Sequence, residues 1–182
     1  MMLLFFLAPG APACCKFPDH FLMKISTLCI TIVTGLLIAG CGQKTSSGPA
    51  EGAPAGPRVI EISAGDTMKY SITAMEAKPG EALKVVLTNN GTLPKEVMGH
   101  NWILLKAGSD AAAFDAAAST AKATGYIPPT LTDEIIAHID QLGPHQSGEV
   151  EFTAPTVPGE YPFLCSFPAH YQVGMHGILT VK

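Results

Sequence analysis

The stretch EYPFLCSFPAHYQVGMHGILTV, residues 160–181, decides the fold of this chain. Its two ends, 160–164 and 177–181, are short apolar runs with the length and composition of β-strands. The loop between them carries Cys165, His170 and Met175 within eleven residues. Because two strands hold this loop at both ends, the fold fixes much of the geometry among the three side chains.

A fourth candidate donor, His100, lies far upstream in the segment MGHNW, residues 98–102. One thiolate, two imidazoles and a thioether form the ligand set of a blue-copper centre, in which a rigid frame accepts both oxidation states with little movement. Taken singly, each residue has an ordinary interpretation, such as a buried structural thiol, a core histidine or a gap-filling methionine. The four together, in this order, favour a copper site.

Further short apolar runs separated by turn residues extend the β pattern over residues 59–182, and they lie at 59–62, 68–72, 83–87, 100–105, 135–139 and 148–152. This pattern predicts an all-β sandwich. One Ala-rich segment, residues 109–118, interrupts it. We predict a helix there, capped by Ser109 or Asp110 and ending near Gly125, which forms a surface flap.

The first 40 residues have the pattern of an export signal. Met23 and Lys24 precede an apolar run, 25–39, that is shorter than the roughly 20 residues of a membrane span and fits a signal peptide. The run ends in LIAGC, residues 37–41, which resembles the lipobox of bacterial lipoproteins, where the peptide is cut before the cysteine and the cysteine carries the lipid. An uncleaved anchor helix interrupted by Gly35 and Gly40 is the alternative.

Residues 1–22 fit a signal peptide poorly, because their apolar start lacks a basic flank and prolines interrupt it. We therefore expect translation to begin at Met23, and processing at Cys14 is a weaker alternative. Residues 41–58 comprise the lipidated Cys41 and a linker rich in Gly, Pro, Ser and Ala, which predicts a flexible tether. Such a tether separates a domain from a bilayer by tens of ångströms, at about 3.3 Å per extended residue.

Cysteine usage is consistent with this division. Cys14, Cys15 and Cys29 belong to the signal segment and Cys41 to the lipid site, so Cys165 is the one free thiol that remains. A lone thiol in an oxidising compartment has no disulfide partner. A bound metal would occupy it.

Charge is mildly acidic and scattered. From Cys41 onward, nine Lys and Arg residues stand against fourteen Asp and Glu residues, a formal net charge of −5. No basic stripe occurs, so nucleic-acid binding has no support in this sequence. Mild acidity instead suits solubility and weak docking to a basic partner.

The segments that carry the donors resemble the azurin and plastocyanin family of type 1 copper proteins, the cupredoxins. LPKEVMGHNW (93–102), IAH (136–138) and CSFPAH (165–170) are similar to azurin motifs. Four residues separate His170 from Met175, one more than in azurin. This spacing is similar to that of auracyanins, membrane-associated azurin-like carriers, as are YIP (126–128) and QSGEV (146–150). The resemblance begins at about Glu61 and reaches the last residue.

The resemblance implies a Greek-key β-sandwich that holds one type 1 copper. The equatorial ligands would be His100, Cys165 and His170, and Met175 would be axial. The main-chain N–H groups of Asn101 and Phe167 would donate hydrogen bonds to the cysteine sulfur, and the carbonyl of Gly99 would make a weak contact opposite the methionine. The Asn101 side chain would tie the ligand loop to the upstream strand.

These features predict a monomeric, lipid-tethered one-electron carrier on the periplasmic or extracellular side of a bacterial membrane. The electron would pass through His170, whose ring edge is expected to reach solvent. A redox donor and acceptor would dock briefly on the apolar rim around it, formed by Val97, Met98, Phe167, Pro168 and Ala169.

The alternative function is copper storage or delivery, although delivery sites usually use exposed Met or Cys clusters. A multicopper oxidase or nitrite reductase needs further copper sites. The His-Cys-His triplet of oxidases is also missing, since Leu164 and Ser166 flank the cysteine. We therefore do not expect an enzyme.

The other histidines of the domain have ordinary interpretations. His176 follows Met175 directly, so strand alternation points it away from the metal. His138 lies in an apolar strand and is expected to be a packed neutral imidazole. His145, in a Gly-Pro-His-Gln sequence, is expected in a turn.

Overall fold

The computed structural model describes residues 56–182, which fold into two β-sheets with a helical segment on one side. The first sheet has the order β1-β3-β6 and the second the order β2-β8-β7-β4-β5. The strands are β1 Arg58–Ala64, β2 Ala74–Ala77, β3 Ala82–Asn89, β4 His100–Leu105, β5 Ile135–Leu142, β6 Ser147–Thr153, β7 Gly159–Leu164 and β8 His176–Val181. The predicted all-β sandwich is confirmed, and its structural relatives share this fold.

Helical structure is short. A single turn, α1, covers Lys95–Met98 and was not predicted; α2 covers Ala111–Ala118, and two 3₁₀ segments cover Lys122–Thr124 and Pro129–Glu134. Among the described residues, none of the helices combines the length and the apolar character that crossing a membrane requires.

The core lies between the two sheets and follows strand alternation. In β3, Leu83, Val85 and Leu87 are fully buried while the residues between them are partly exposed. Strand β4 is buried along its whole length because it lies inside the second sheet, between β7 and β5, and is covered on its outer face by α2. There Phe114 of α2 packs with Ile103 and Leu105. The strand that begins with His100 is thus held on every side.

Two local predictions were wrong in detail. Residues 68–72 do not form a strand, because the chain leaves β1 in the first sheet and enters β2 in the second, and Met68 adopts a positive φ of 55° on the way. Helix α2 begins as predicted, with the Asp110 carboxylate accepting from Ala112 and Ala113, but it ends at Ala118 rather than near Gly125. The hydroxyl of Thr120 donates to the carbonyl of Ala117 and competes with continuation of the helix.

The two ends of the sandwich differ in what they carry. Strand β8 runs from His176, next to Met175, to Val181 at the far end, a length of roughly 17 Å at about 3.3 Å per residue. We call the end with His100, Cys165 and Met175 the donor end.

At the opposite end, the side chain of Arg58 donates to Glu81 at 2.6 Å and to the carbonyl of Glu76 at 2.7 Å. Lys182 pairs with the carboxylate of Glu76 at 2.6 Å. We call this the ion-pair end. The described chain enters the first sheet here, at β1.

Candidate metal centre

Strand ends place three of the four predicted donors. His100 is the first residue of β4, Cys165 directly follows β7, and Met175 directly precedes β8. Strands β4 and β7 are antiparallel neighbours with Ile103 opposite Leu164, so the start of β4 meets the end of β7. This pairing brings the distant histidine to the ligand loop.

The structure brings the predicted donors together in a closed pocket. The candidate ligand atoms of His100, Cys165 and His170 all lie within 4.8 Å of one another. The Cys165 Sγ is 3.4 Å from His170 Nδ1, and the centroids of the two imidazoles are 4.9 Å apart.

Met175 lies beside them and is also fully buried. Its N–H donates to the His170 carbonyl at 2.9 Å, and its carbonyl accepts from the Cys165 N–H at 3.0 Å. Main-chain hydrogen bonds therefore connect all three donors of the ligand loop.

The ring nitrogens of His100 are poorly satisfied in this pocket. Both are buried and make no hydrogen bond of good geometry among the described residues, although the main-chain carbonyl of Gly65 lies near enough to the ring to raise its pKa. A buried polar atom without a partner costs about 1–3 kcal/mol, so it needs an explanation. A metal ion bound by a ring nitrogen supplies one, and the adjacent thiol and second imidazole complete a donor set that suits copper.

Burial disfavours charge in the pocket when no metal is bound. Burial lowers the pKa of His100, and burial together with the nearby charge of His100 lowers the pKa of His170 to about 4. Burial raises the pKa of the Cys165 thiol to about 12. The imidazoles are thus neutral and keep a free lone pair, which is the form that binds metals.

The sulfur of Cys165 accepts hydrogen bonds from main-chain groups. The N–H groups of Asn101 and Phe167 bond to it and partly oppose the rise in its pKa. Such bonds stabilise the thiolate form and fix the direction of its lone pairs.

A buried polar network surrounds Asn101. The side chain of Asn101 donates to Ser166 Oγ at 2.9 Å and accepts from the Ser166 N–H at 2.9 Å. The main-chain carbonyl of Asn101 accepts from the hydroxyl of Tyr70 at 2.5 Å. Ser166 Oγ donates in turn to the carbonyl of Tyr126 at 2.5 Å. Sequence reasoning missed the contributions of Tyr70, Ser166 and Tyr126, because nothing local marks them as neighbours of the donors.

Gly99 has a steric role that its sequence position did not reveal. A Cβ at this position would lie 2.6 Å from the carbonyl oxygen of Lys95 and even closer to the side chain of Gln141. Only glycine therefore lets α1 and β5 pack against the start of β4. The contact of its carbonyl with a metal stays a prediction.

His170 is less accessible than predicted. Its side chain is only 1% exposed, so the expectation that its ring edge reaches solvent was wrong. The ring of Phe167 lies 4.7 Å from it, centroid to centroid, and covers it together with neighbouring residues of the loop. In the rim around it, Val97 is 58% exposed and Ala169 is exposed, whereas Phe167 is buried.

The remaining histidines lie outside the pocket. His138 is exposed rather than packed, because alternation on the edge strand β5 turns it outward between buried Ala137 and Ile139. His176 is exposed and stacks on Tyr171 at 4.8 Å. His145 has a positive φ of 58° in a turn. The predicted lipidation site, Cys41, lies outside the described residues.

Comparison with known proteins gives consistent results along the chain. A family model described as copper binding proteins, plastocyanin/azurin family, matches residues 58–182. Auracyanin-A of Chloroflexus aurantiacus is 32% identical over 165 residues, which cover 88% of this chain and 98% of that protein. Auracyanin-B of the same organism is 32% identical over 126 residues, and the chain spans about half, 52%, of that protein's length.

A solved structure is also similar. The crystal structure of sodium-dithionite-reduced auracyanin from the photosynthetic bacterium Roseiflexus castenholzii matches with a TM-score of 0.62 and 36% identity. The match covers 70% of this chain and 99% of that one. The similarity therefore extends over the domain that carries the four predicted donors.

Proposed function

Because this chain belongs to the plastocyanin/azurin family of copper-binding proteins, we propose that it is a lipid-tethered one-electron carrier of the bacterial cell envelope. Its family membership makes it a blue-copper electron-transfer protein. The lipid tether, the compartment and the roles of single residues are the parts that we add.

In this proposal the side chains of His100, Cys165, His170 and Met175 would hold the copper. The observation that carries the assignment is the convergence of the buried ligand atoms of His100, Cys165 and His170 within 4.8 Å of one another, with no hydrogen bond of good geometry to the ring nitrogens of His100. Bound copper supplies a one-electron couple. The protein keeps the donors in place in both oxidation states, because strand ends and hydrogen bonds hold them in a pocket that excludes water.

Partner docking is assigned to the apolar surface above His170. Val97 is 58% exposed and Leu93 is 40% exposed, and both lie next to the segment that leads into β4. A small exposed apolar surface suits a brief encounter with a redox donor or acceptor. Because the ring of Phe167 lies 4.7 Å from that of His170, centroid to centroid, a partner that contacts this part of the surface comes close to the metal centre.

This surface is testable without knowing the partner, because two copies of the protein exchange electrons with each other. Val97→Glu should slow the self-exchange rate, measured by NMR line broadening in mixtures of oxidised and reduced protein, by about tenfold or more. The matched control is Val157→Glu, since Val157 is 66% exposed in the loop between β6 and β7. Equal rates in the two variants would remove the docking surface from this proposal.

The tether is proposed to consist of a lipidated Cys41 and residues 42–58. It follows a signal peptide that ends at residue 40 and, with translation from Met23, does not include residues 1–22. The folded domain begins at Arg58, at the ion-pair end. A lipid anchor therefore attaches opposite the docking surface, which leaves that surface free to meet partners on the periplasmic or extracellular side.

Mass spectrometry of the mature chain tests the tether directly. We expect a lipid-modified Cys41 at the N-terminus and membrane-associated protein. Cys41→Ser should abolish the lipid modification and leave the copper site intact. An unmodified N-terminus of the original protein would contradict the tether and leave the copper assignment standing.

A redox titration with copper analysis separates electron transfer from copper delivery. A carrier shows one reversible one-electron couple and retains its copper in both states. Loss of copper on reduction would favour storage or delivery, the alternative function, and would overturn this proposal.

A further inference from the structure

The loop between His170 and Met175 receives little support from the strands. Within residues 171–174 the main chain is held by turn hydrogen bonds, such as that from the Gly174 N–H to the Tyr171 carbonyl at 2.8 Å. Gln172 and Val173 are both exposed. The positions of His170 and Met175 therefore depend on contacts that other parts of the fold make with this loop.

Two side chains from distant segments reach the loop. The carboxylate of Asp115, in helix α2, accepts a hydrogen bond from the side-chain amide of Gln172. The ammonium group of Lys69, in the segment between β1 and β2, donates to the carbonyl of Val173. Tyr171, at the start of the loop, packs against the apolar cluster that contains Phe114 of the same helix.

Asp115 differs from the other acidic residues of the described chain. It is 3% exposed, and it is the only buried carboxylate among residues 56–182. Burial raises its pKa, which the hydrogen bond from Gln172 opposes. Burying a carboxyl group is costly unless it is hydrogen-bonded, so its location requires a compensating contact. Its recorded side-chain partner is Gln172 of the ligand loop.

We propose that Asp115 is a positioning residue that holds the ligand loop through Gln172, so that helix α2 fixes where His170 and Met175 lie. This inference rests on the proposed copper ligands. It gives the helical flap a role at the metal centre, although α2 supplies no ligand. The contact spans 57 residues of sequence, so it also joins the flap to the sheet end that carries the site.

Lys69 is expected to support the loop more weakly. Its side chain is exposed, and water competes for its hydrogen bonds. Gly174, with a positive φ of 94°, lies so close that a Cβ there would be 2.8 Å from the Lys69 nitrogen. The ammonium group therefore packs against the loop backbone without being enclosed by it. Asp115, being buried, makes the contact that sets the loop position.

The test uses the full-length protein with four substitutions and two kinds of measurement. Asp115→Ala and Gln172→Ala each remove one side of the contact, and Asp115→Asn keeps an acceptor for the Gln172 amide. Asp133→Ala is the control, because Asp133 is an exposed acid in the 3₁₀ segment Pro129–Glu134, and its side chain makes no hydrogen bond or ion pair within residues 56–182. Amide hydrogen exchange of residues 171–174 in metal-free protein measures how readily the loop opens. The charge-transfer absorption and the copper release rate measure the integrity of the copper-bound site.

We expect Asp115→Ala and Gln172→Ala to speed loop exchange and copper release about tenfold each, the effect of losing one good hydrogen bond. In the double variant, loop exchange and copper release should be no faster than in either single variant, since both substitutions remove the same contact. Asp115→Asn should stay within about threefold of the original protein. Exchange of the β4 amides should not change, which separates a local effect from general destabilisation.

Loop exchange in Asp115→Ala equal to that in Asp133→Ala would overturn the proposal, as would additive effects of the Asp115 and Gln172 substitutions. If Asp115→Ala does not fold, Gln172→Ala still decides, because Gln172 is exposed and its truncation leaves the core intact. A protein that takes up no copper would refute the proposed function, while hydrogen exchange of the metal-free form would still test this contact.

Discussion

The donor end and the ion-pair end of the sandwich differ in how their polar side chains are buried and hydrogen-bonded. At the donor end, the side chains of His100, Cys165 and His170 are at most 1% exposed, and the His100 nitrogens make no hydrogen bond of good geometry. At the ion-pair end, Arg58 and Glu81 are partly exposed and bonded at 2.6 Å. One end is incomplete without a ligand, whereas the other is satisfied by the protein itself.

This difference indicates how the contribution of each end to the free energy of unfolding depends on metal, pH and salt. Exposed ion pairs contribute at most about 1 kcal/mol each and weaken in salt. Buried unpartnered nitrogens cost more than that, and a metal ion reverses the cost on binding. Stability at the donor end should therefore follow metal occupancy, while stability at the ion-pair end should follow pH and salt.

Replacing Cys165 by Ser should have the largest effect on this contrast. The variant keeps the size of the buried side chain but loses the sulfur-to-copper charge transfer, so the intense visible absorption should disappear completely. Absorption spectroscopy measures this loss, and far-ultraviolet circular dichroism should show an intact sandwich. Ser119→Ala, at an exposed position after α2, is the control. A blue Cys165→Ser protein would contradict the assigned site.

Removing copper should destabilise the fold by about 4 kcal/mol at a free copper concentration 1,000 times Kd, because the metal binds only the folded state. For a domain of this size, that corresponds to a fall in melting temperature of roughly 10 °C or more. Calorimetry of loaded and metal-free protein gives the difference. Glu81→Gln, at the far end, should leave this difference unchanged. If that substitution alters it, the two ends are not independent.

Replacing Gly177 by Ala should destabilise the sandwich by about 1–3 kcal/mol, because overpacking forces backbone shifts. A Cβ there would lie 2.2 Å from the carbonyl oxygen of Thr73 and 2.3 Å from the ring of Phe163. Urea unfolding measures the change in the free energy of unfolding. Gly56→Ala is the matched control, since no atom lies within 4 Å of a Cβ at that position. Equal stability of the two variants would show that the close packing next to the donor end is not required.

Glu81→Gln should have the smallest effect, below about 1 kcal/mol at neutral pH, because the pair is partly exposed. The hydrogen bond from Arg58 lowers the pKa of Glu81 from 4.5 to about 2. The carboxylate therefore contributes its full stabilisation above pH 4.5, and this contribution is lost as the pH falls towards 2.

Thermal unfolding of both proteins between pH 2 and 7 checks this dependence. The original protein should be more stable than Glu81→Gln at pH 7, and the two should converge at the acidic limit. A difference that stays constant across this range would show that the carboxylate charge is not the cause.

The donors could be predicted because their types and spacing are local. The loop from Cys165 to Met175 lies between two apolar runs, and both are strands, β7 and β8, that pair with each other. His100 begins a strand that was predicted with its observed bounds. In each case short-range pattern and long-range packing require the same conformation, so the sequence was informative.

Contacts between distant segments could not be predicted in this way. Asp115 occurs in an Ala-rich helix where an acid is normally a solvent-facing residue, and only the packed structure places it against Gln172. His138 occurs in a strand whose edge position no local pattern shows, so its exposure was missed. The irregular path of residues 65–73 follows from a change of sheet. These features depend on which strands become neighbours.

One feature of the fold bears on how this protein could be handled outside the cell. Arg58, where β1 begins, and Lys182, just after β8, line the same shallow cleft. A peptide tag or chemical linker placed at either position would fix the molecule to an electrode by that end. The copper would then point into the bulk solution, about one strand length from the conducting surface. Electron tunnelling falls off steeply with distance. A film of molecules attached in this way would therefore exchange electrons faster with soluble redox reagents than with the electrode.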